Sequence, residues 1–220
     1  MTINPIFRRV VTALTTAAAA VCAILFAPTA CIRPACLVLA LLAGLELALL
    51  LRRKSREAPA GSLLAAAVFA TLLATAFSAL PLVAQRFGNA MLLYVIAIVK
   101  VSDMGGFAFG LGSLKLFGRT RKLCPTISPN KSWEGLFGSV FASCVVSCAF
   151  MPVTHFAAPK ALAFGVAAAI LGTAGDLVES KLKRWVGVKD SATFMPAGLG
   201  GFLDMFDSLL LAPAILLPFI

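Results

Sequence analysis

The sequence predicts an all-α integral membrane protein, a polytopic bundle of about seven transmembrane helices. Hydrophobic residues make up 60% of the 220 residues and charged residues only 13%. A soluble domain of this length needs more polar surface than that. The apolar residues fall in long runs that are joined by short connections rich in Lys and Arg. A bilayer is therefore the expected environment for most of the chain.

Seven apolar runs are candidate spans, because crossing the hydrocarbon takes about 20 residues, with about 17 as a lower limit. In chain order they are Val10–Ala27, Pro34–Leu51, Gly61–Val83, Phe87–Ser102, Trp133–Met151, Ala161–Val178 and Gly201–Ile220. The first run follows two arginines as in a signal peptide, but further apolar runs come after it, so we expect an uncleaved span. The fourth run is short, and the glycines of "GGFAFGLG" would extend it as a broken helix. We divide the chain into an N-terminal scaffold, residues 1–86, and a C-terminal catalytic region with cytoplasmic loops, residues 87–220.

Basic residues alternate between rich and poor connections along the chain. The rich connections hold Arg8 and Arg9, then Arg52, Arg53, Lys54 and Arg56, then Lys115, Arg119, Arg121, Lys122 and Lys131, then Lys181, Lys183, Arg184 and Lys189. The poor connections hold Arg33, Arg86 and Lys160. Cytoplasmic loops carry the excess of Lys and Arg, so we expect a multi-pass protein of the cytoplasmic membrane with its N-terminus inside. The net charge of +10 lies in these loops, which favours head groups or phosphates over nucleic acid as partners.

Carboxylates gather in the second half of the chain, near the cytoplasmic ends of the last four spans. They are Asp103, Glu134, Asp176, Glu179, Asp190, Asp204 and Asp207. A carboxylate at the centre of a membrane helix costs about 2.5–3.5 kcal/mol, so acids in a span need compensation. A hard cation such as Mg²⁺ supplies it through carboxylate oxygens. A structural ion pair with Lys183 or Arg184 is the alternative.

The stretch "GDLVESKLKRWVGVKD" places four polar side chains on one helix face. Asp176, Glu179, Ser180 and Lys183 follow an i, i+3, i+4, i+7 spacing, and Gly187 is expected to end the helix. Asp204 and Asp207 are also three residues apart and are expected to share a face of the last span. The two pairs of acids therefore predict one site at the cytoplasmic side.

An upstream stretch, "SDMGGFAFGLGSLKLFGRTRKLCPTISPNKSWEG", offers glycines for close backbone approach and several cationic donors for a polyphosphate. "SPNKSWEG" predicts a turn followed by a helix start, with Ser132 as the N-cap. The only histidine, His155, maps to the opposite side, which disfavours a Ser/His/Asp device. Metal-assisted transfer at phosphorus needs positioned cations and no histidine.

Two stretches resemble conserved blocks of one enzyme family. "SKLKRWVGVKDSATFMPAGLGGFLDMFD" and "FGRTRKLCPTISPNKSWEG" are similar to the blocks of phosphatidate cytidylyltransferases, the CDP-diacylglycerol synthases. The resemblance covers roughly the last half of the chain. It implies that CTP and phosphatidate give CDP-diacylglycerol and pyrophosphate with Mg²⁺ as the cofactor.

The resemblance also implies roles for individual residues. The catalytic group would be Asp176, Lys183, Asp204 and Asp207, with Asp176 and Asp204 as the metal ligands. The substrate-binding residues would be Asp103, Ser128, Lys131, Glu134, Ser180, Arg184, Lys189 and Asp190. Three positions depart from the family pattern: Ala197 stands in place of a Gly, Leu199 in place of a His and Met205 in place of an Arg.

Two other functions are left open. One, for which the missing His and Arg leave room, is a CTP-dependent transferase or kinase that acts on another lipid acceptor, such as a polyprenol. The other is an ion-coupled transporter, although its acids should lie near the midplane of the membrane rather than at one face. The expected partners are CTP, phosphatidate and membrane lipids, without nucleic acid, and a homodimer is left open.

Overall fold

The computed structural model describes residues 18–188, residue 191 and residues 201–220. Residues 18–26 are helical (α1). The other elements are α2 Thr29–Ser55, α3 Pro59–Phe87, α4 Asn89–Phe117, β1 Lys122–Cys124, β2 Ser128–Ser132, α5 Trp133–Ala149, α6 Met151–Thr154, α7 Ala158–Val186, α8 Phe202–Phe206 and α9 Ala212–Leu216, with 3₁₀ turns at Asp207–Leu209 and Leu217–Phe219.

The predicted all-α membrane bundle is confirmed. Five segments are long and apolar enough to cross a bilayer: Thr29–Ser55, Pro59–Phe87, Asn89–Phe117, Ala158–Val186 and Phe202–Phe219. The apolar helix Trp133–Ala149 is shorter. Large apolar side chains such as Leu41 and Leu63 are 72% and 74% exposed, as expected for surfaces that face lipid. The count of seven is not confirmed, because the first predicted span, Val10–Ala27, begins outside the described residues.

Helices α4 and α5 cross at very short range because both carry glycines at the contact. A Cβ atom built on Gly105 would lie 2.6 Å from the Gly138 carbonyl oxygen, and one built on Gly138 would lie 2.7 Å from the Gly105 oxygen. Small residues allow such backbone approach between membrane helices. Helix α4 runs unbroken through "GGFAFGLG" to Phe117, so the predicted extension is correct but the predicted break is absent.

The connection between α4 and α5 is a short antiparallel hairpin. Lys122 pairs with Ser132, and Cys124 pairs with Ser128. Ser132 caps α5, because its hydroxyl accepts the Gly135 N–H at 3.1 Å, which confirms the predicted N-cap. The residues "SPNKS", expected as a turn, form strand β2 instead, since their backbone groups pair with β1.

The last apolar segment is broken, which differs from the single helix expected over Gly201–Ile220. Helix α8 ends at Phe206, and a 3₁₀ turn follows before α9 begins. Pro213 has no N–H to donate into a continuous helix. The carbonyl of Met205 accepts a hydrogen bond at 2.7 Å from Lys100 Nζ, a side chain of α4. The break separates the directions of Asp204 and Asp207, which were expected on one face.

Contacts identify the two ends of the bundle. At one end, the start of α3 meets the end of α7, where a Cβ built on Gly61 would lie 3.0 Å from the Trp185 ring. At the other end, the Asn89 side-chain amide donates at 2.8 Å to the Ala27 carbonyl. Helix α4 begins at Asn89 and crosses to the opposite end of the bundle. The hairpin and the N-terminus of α5, which follow α4, therefore lie at the same end as the C-terminus of α7. The charged residues gather at this end.

Candidate active site

Three carboxylates converge where α7 meets the 3₁₀ turn. Asp176 and Glu179 come from α7 and Asp207 begins the turn, and one oxygen of each lies within 4.8 Å of the other two. The turn approaches α7 closely at Gly175, where a Cβ would lie only 2.4 Å from the Asp207 carbonyl oxygen. We call Asp176, Glu179 and Asp207 the carboxylate cluster.

The chemistry of the carboxylate cluster fits a hard divalent cation. All three side chains offer oxygen atoms, the ligands that Mg²⁺ and Ca²⁺ take in proteins. Glu179 is fully buried, and its Oε1 atom has no hydrogen-bond donor among the described residues. A buried carboxylate oxygen without a donor is costly unless a cation faces it.

Lys183 lies between two carboxylates on the other side of Glu179. Its Nζ atom is 2.5 Å from Glu179 Oε2 and 2.6 Å from Asp204 Oδ1. The second oxygen of Asp204, Oδ2, accepts the backbone N–H groups of Ser191 at 3.2 Å and Gly201 at 2.9 Å. Asp204 thus accepts three hydrogen bonds from the protein itself.

The structure therefore groups Asp207, rather than Asp204, with Asp176. Within the described residues, the acids whose oxygens are close enough to share one ion are those of the carboxylate cluster. That Asp176 and Asp204 share a metal stays a prediction. Glu179 was predicted on the same helix face as Asp176 and Lys183, but it was given no catalytic, substrate-binding or metal-binding role of its own.

Two lysines, one from strand β2 and one from helix α4, adjoin the cluster. Lys131 Nζ lies 2.6 Å from Asp176 Oδ2 and donates at 3.2 Å to the Thr173 carbonyl. Lys100 Nζ donates to the Met205 carbonyl of α8 and, at 2.9 Å, to Ser208 Oγ of the 3₁₀ turn. Lys100 therefore holds the turn that carries Asp207. Sequence reasoning missed it, because a lysine at the end of a span also fits a topology signal.

A cavity of about 270 Å³ opens beside Asp176. Asp103 of α4, Ser128 and Lys131 of β2, and Asp176 of α7 contribute polar groups to its wall. The exposed ring of Phe107 also lines it. The volume lies just below the range of ligand sites, which run from about 300 to 1,000 Å³. A wall with a lysine, hydroxyls and carboxylates suits a phosphate group that is accompanied by a cation.

The remaining predicted residues lie around this centre or outside the described part. Ser180 Oγ is 3.4 Å from Asp176 Oδ1. Glu134 accepts the Arg121 N–H at 3.1 and 3.2 Å and so ties the hairpin to α5. Arg184 donates at 3.3 Å to the Val188 carbonyl at the end of α7. Lys189, Asp190 and Leu199 lie outside the described residues, and Met205 is 46% exposed.

Curated relatives match somewhat more than half of the chain. A phosphatidate cytidylyltransferase of Staphylococcus aureus (strain COL) is 43% identical over 119 residues, which is 53% of this chain and 44% of the relative. Proteins of the same name from Staphylococcus epidermidis (strain ATCC 12228 / FDA PCI 1200) and Haemophilus influenzae (strain Rd) are 40% identical over 123 residues and 38% identical over 131 residues. These matches cover 55% and 56% of this chain, and 45% and 42% of the relatives. The chain thus spans somewhat less than half the length of the relatives that it matches.

The family comparison covers more of the chain. The cytidylyltransferase family matches residues 62–220, a range that includes the hairpin, the carboxylate cluster, the cavity and the Lys183 ion pairs described above. The family predicted from the two sequence stretches is confirmed. The chain belongs to the cytidylyltransferase family.

Proposed function

We propose that this protein transfers CMP from CTP to phosphatidate, giving CDP-diacylglycerol and pyrophosphate in phospholipid biosynthesis. An oxygen of the phosphatidate phosphate forms a bond to the α-phosphorus of CTP, and the bond from that phosphorus to pyrophosphate breaks. The observation that carries the proposal is the carboxylate cluster beside a cavity that Lys131 lines. Both the cluster and the cavity lie within the range that the family matches. The names of the relatives support phosphatidate as the acceptor.

The carboxylate cluster is the proposed site of a divalent cation such as Mg²⁺. Asp176 and Asp207 would hold it from the more open side and Glu179 from the buried side. A cation there supplies positive charge for the phosphates of CTP. In this arrangement Asp204 positions Lys183 and the backbone around it instead of binding the ion.

The cavity is the proposed place for the reacting phosphates. Lys131 is bound to Asp176 and lines the cavity, so its ammonium group can reach a phosphate without leaving the cluster. Ser128 and Asp103 line the same space. Phe107 forms part of the wall and is 72% exposed. An exposed apolar ring in the cavity wall of a membrane protein is consistent with a lipid acceptor that enters the cavity from the bilayer.

The reaction is tested with purified protein, radiolabelled CTP, phosphatidate and Mg²⁺. We expect labelled CDP-diacylglycerol from the unmodified protein and from Lys160→Met, whose lysine stacks on Phe156. We expect none above background from Asp176→Asn. Absence of product from the unmodified protein, with a family relative active in parallel, would refute the proposal. The same assay with diacylglycerol and polyprenols as acceptors tests the alternative lipid substrates, and no contact among the described residues favours them.

We further propose that the site faces the cytoplasm, with the N-terminus on the same side. The connection at Lys54 and Glu57 lies at the end of the bundle where Gly61 meets Trp185, and basic residues concentrate there as in cytoplasmic loops. Labelling of single cysteines, introduced into a protein whose native cysteines are replaced, measures this orientation from each side of the membrane. A cysteine at Lys122 that reacts only from the outside would contradict it. The division at residue 86 and a homodimer remain predictions.

A further inference from the structure

Glu46 is a fully buried carboxylate in the scaffold half of the chain. It belongs to α2, a helix that is long and apolar enough to cross a bilayer, and its side chain is 0% exposed. It lies outside residues 62–220, the range that the family matches. Acidic residues inside membrane helices are rare and usually have defined partners, so the contacts of Glu46 indicate its role.

Two described partners of Glu46 lie far along the chain, one at the start of α8 and one before it. Its Oε2 atom accepts the Leu203 N–H at 2.8 Å and the Ser191 hydroxyl at 3.3 Å. Leu203 is the second residue of α8, and its N–H is among those that lack a partner within the helix. The N-cap residue, Gly201, has no side chain that could accept it. Glu46 therefore supplies the cap of α8 from a different membrane helix.

Asp204 binds the same region from the other side. Its Oδ2 atom accepts the N–H groups of Ser191 and Gly201, the two described residues that flank residues 192–200, while its Oδ1 atom accepts Lys183. The fit around Glu46 is tight, because a Cβ on Gly201 would lie 2.4 and 2.6 Å from its two carboxylate oxygens. Two carboxylates, from α2 and α8, thus hold Ser191 and the start of α8 together.

We propose that Glu46 is a positioning residue for the active site. By fixing Ser191 and the N-terminus of α8, it sets the place of Asp204 and hence of Lys183, which is also bound to Glu179 of the carboxylate cluster. Among the described residues, Glu46 is part of neither the cavity wall nor the cluster, and it acts on them through these contacts. The inference rests on the proposed function where activity is the readout.

The test compares Glu46→Leu, which removes both contacts, with Glu46→Gln, which keeps an oxygen for the Leu203 N–H. The matched control is Glu57→Leu, at an exposed glutamate paired with Lys54 beyond the end of α2. We expect Glu46→Leu to lower kcat at least about tenfold, which corresponds to about 1.4 kcal/mol. We expect Glu46→Gln to recover most of the loss and Glu57→Leu to match the unmodified protein.

A second readout separates positioning from simple loss of stability. CTP with Mg²⁺ should raise the Tm of the unmodified protein, because a ligand that binds only the folded state stabilises it. We expect Glu46→Leu to reduce this rise as well as the Tm without ligand. A lower Tm with an unchanged rise and an unchanged kcat would overturn the proposal, since Glu46 would then act on stability alone.

Two further measurements cover the cases in which those variants are uninformative. If Glu46→Leu does not fold, Gly201→Ala replaces it, because the added Cβ would lie 2.1 Å from the Ser191 hydroxyl oxygen and 2.4 Å from Glu46 Oε1 and so disrupts the contact between them; an unchanged kcat there would overturn the proposal. If the unmodified protein has no turnover, the proposed function fails and the positioning role is decided by Tm alone. In that case the Tm is measured for Glu46→Leu, for Asp204→Asn and for the variant with both substitutions. A fall in Tm of the double variant that is smaller than the sum of the two single falls supports the positioning role, and a fall equal to that sum overturns it.

Discussion

Replacement of Lys183 by methionine leaves two buried carboxylates without their shared cation. Lys183 Nζ lies 2.5 Å from Glu179 and 2.6 Å from Asp204, and the three side chains are 13%, 0% and 17% exposed. Methionine keeps most of the length and the apolar stem of lysine. The substitution therefore removes the ammonium group and leaves the packing of the stem largely in place.

The size of the effect follows from this burial. Removal of one partner of a buried ion pair costs about 3–5 kcal/mol. Because Lys183 and Asp204 retain some exposure, we expect the lower end, about 3 kcal/mol. For a chain of this size each kcal/mol shifts the Tm by about 2–4 °C, so Lys183→Met should unfold about 6–12 °C earlier.

A second substitution tests whether the unpaired carboxylates cause the lower Tm. With Glu179→Gln added to Lys183→Met, one unpaired carboxylate disappears, and we expect the Tm to recover by several degrees. The control is Lys181→Met, an exposed lysine of the same helix, which should change the Tm by less than about 2 °C. The assay is thermal unfolding of the purified protein in detergent. A Lys183→Met variant as stable as the control, or a double variant less stable than either single one, would refute the reasoning.

Three further predictions concern the cavity and the helices around it. Lys131→Met removes the charge next to Asp176 and should lower kcat/KM for CTP about 10- to 150-fold, the kinetic equivalent of a charged hydrogen bond worth about 1.5–3 kcal/mol. Gly138→Ala places a Cβ 2.4 Å from the Phe109 side chain and should destabilise the fold by about 1–3 kcal/mol, whereas Gly112→Ala, with no atom within 4 Å, should not lower the Tm. Ser132→Ala removes the N-cap of α5 and should cost about 1 kcal/mol in the same unfolding assay.

Features that depend on neighbouring residues along the chain could be predicted from the sequence. The spans from Pro34 to Val178 were placed by the length of their apolar runs, and each overlaps an observed helix. Gly187 ends α7 with a left-handed φ of 83°, as its position after a basic last turn indicated. Ser132 caps α5 for a similarly local reason.

Features that depend on contacts between distant helices could not be predicted from the sequence. Helical spacing placed Asp204 and Asp207 on one face, but the break at Phe206 turns them to different partners. That break is held partly by Lys100, which lies more than one hundred residues earlier in the chain.

The sequence around Glu46 already indicates that this residue is unusual, although no role was predicted for it. A single glutamate inside an apolar run is itself unusual in a membrane helix. The predicted site residues all lie after residue 100, where several carboxylates lie close together in the sequence. The contact between Glu46 and Leu203 spans 157 residues, so the spacing of residues gives no indication of it.

The most direct test of the carboxylate cluster is the binding of Mn²⁺, a spectroscopic substitute for Mg²⁺, to the purified protein. Electron paramagnetic resonance measures free Mn²⁺ during titration of the unmodified protein, Asp207→Asn and Asp204→Asn. We expect Asp207→Asn to weaken Mn²⁺ binding about tenfold or more, as loss of a group at a metal site does, and Asp204→Asn to stay within about threefold of the unmodified protein. Strong loss in Asp204→Asn together with unchanged affinity in Asp207→Asn would contradict the assignment of the cation to Asp176, Glu179 and Asp207.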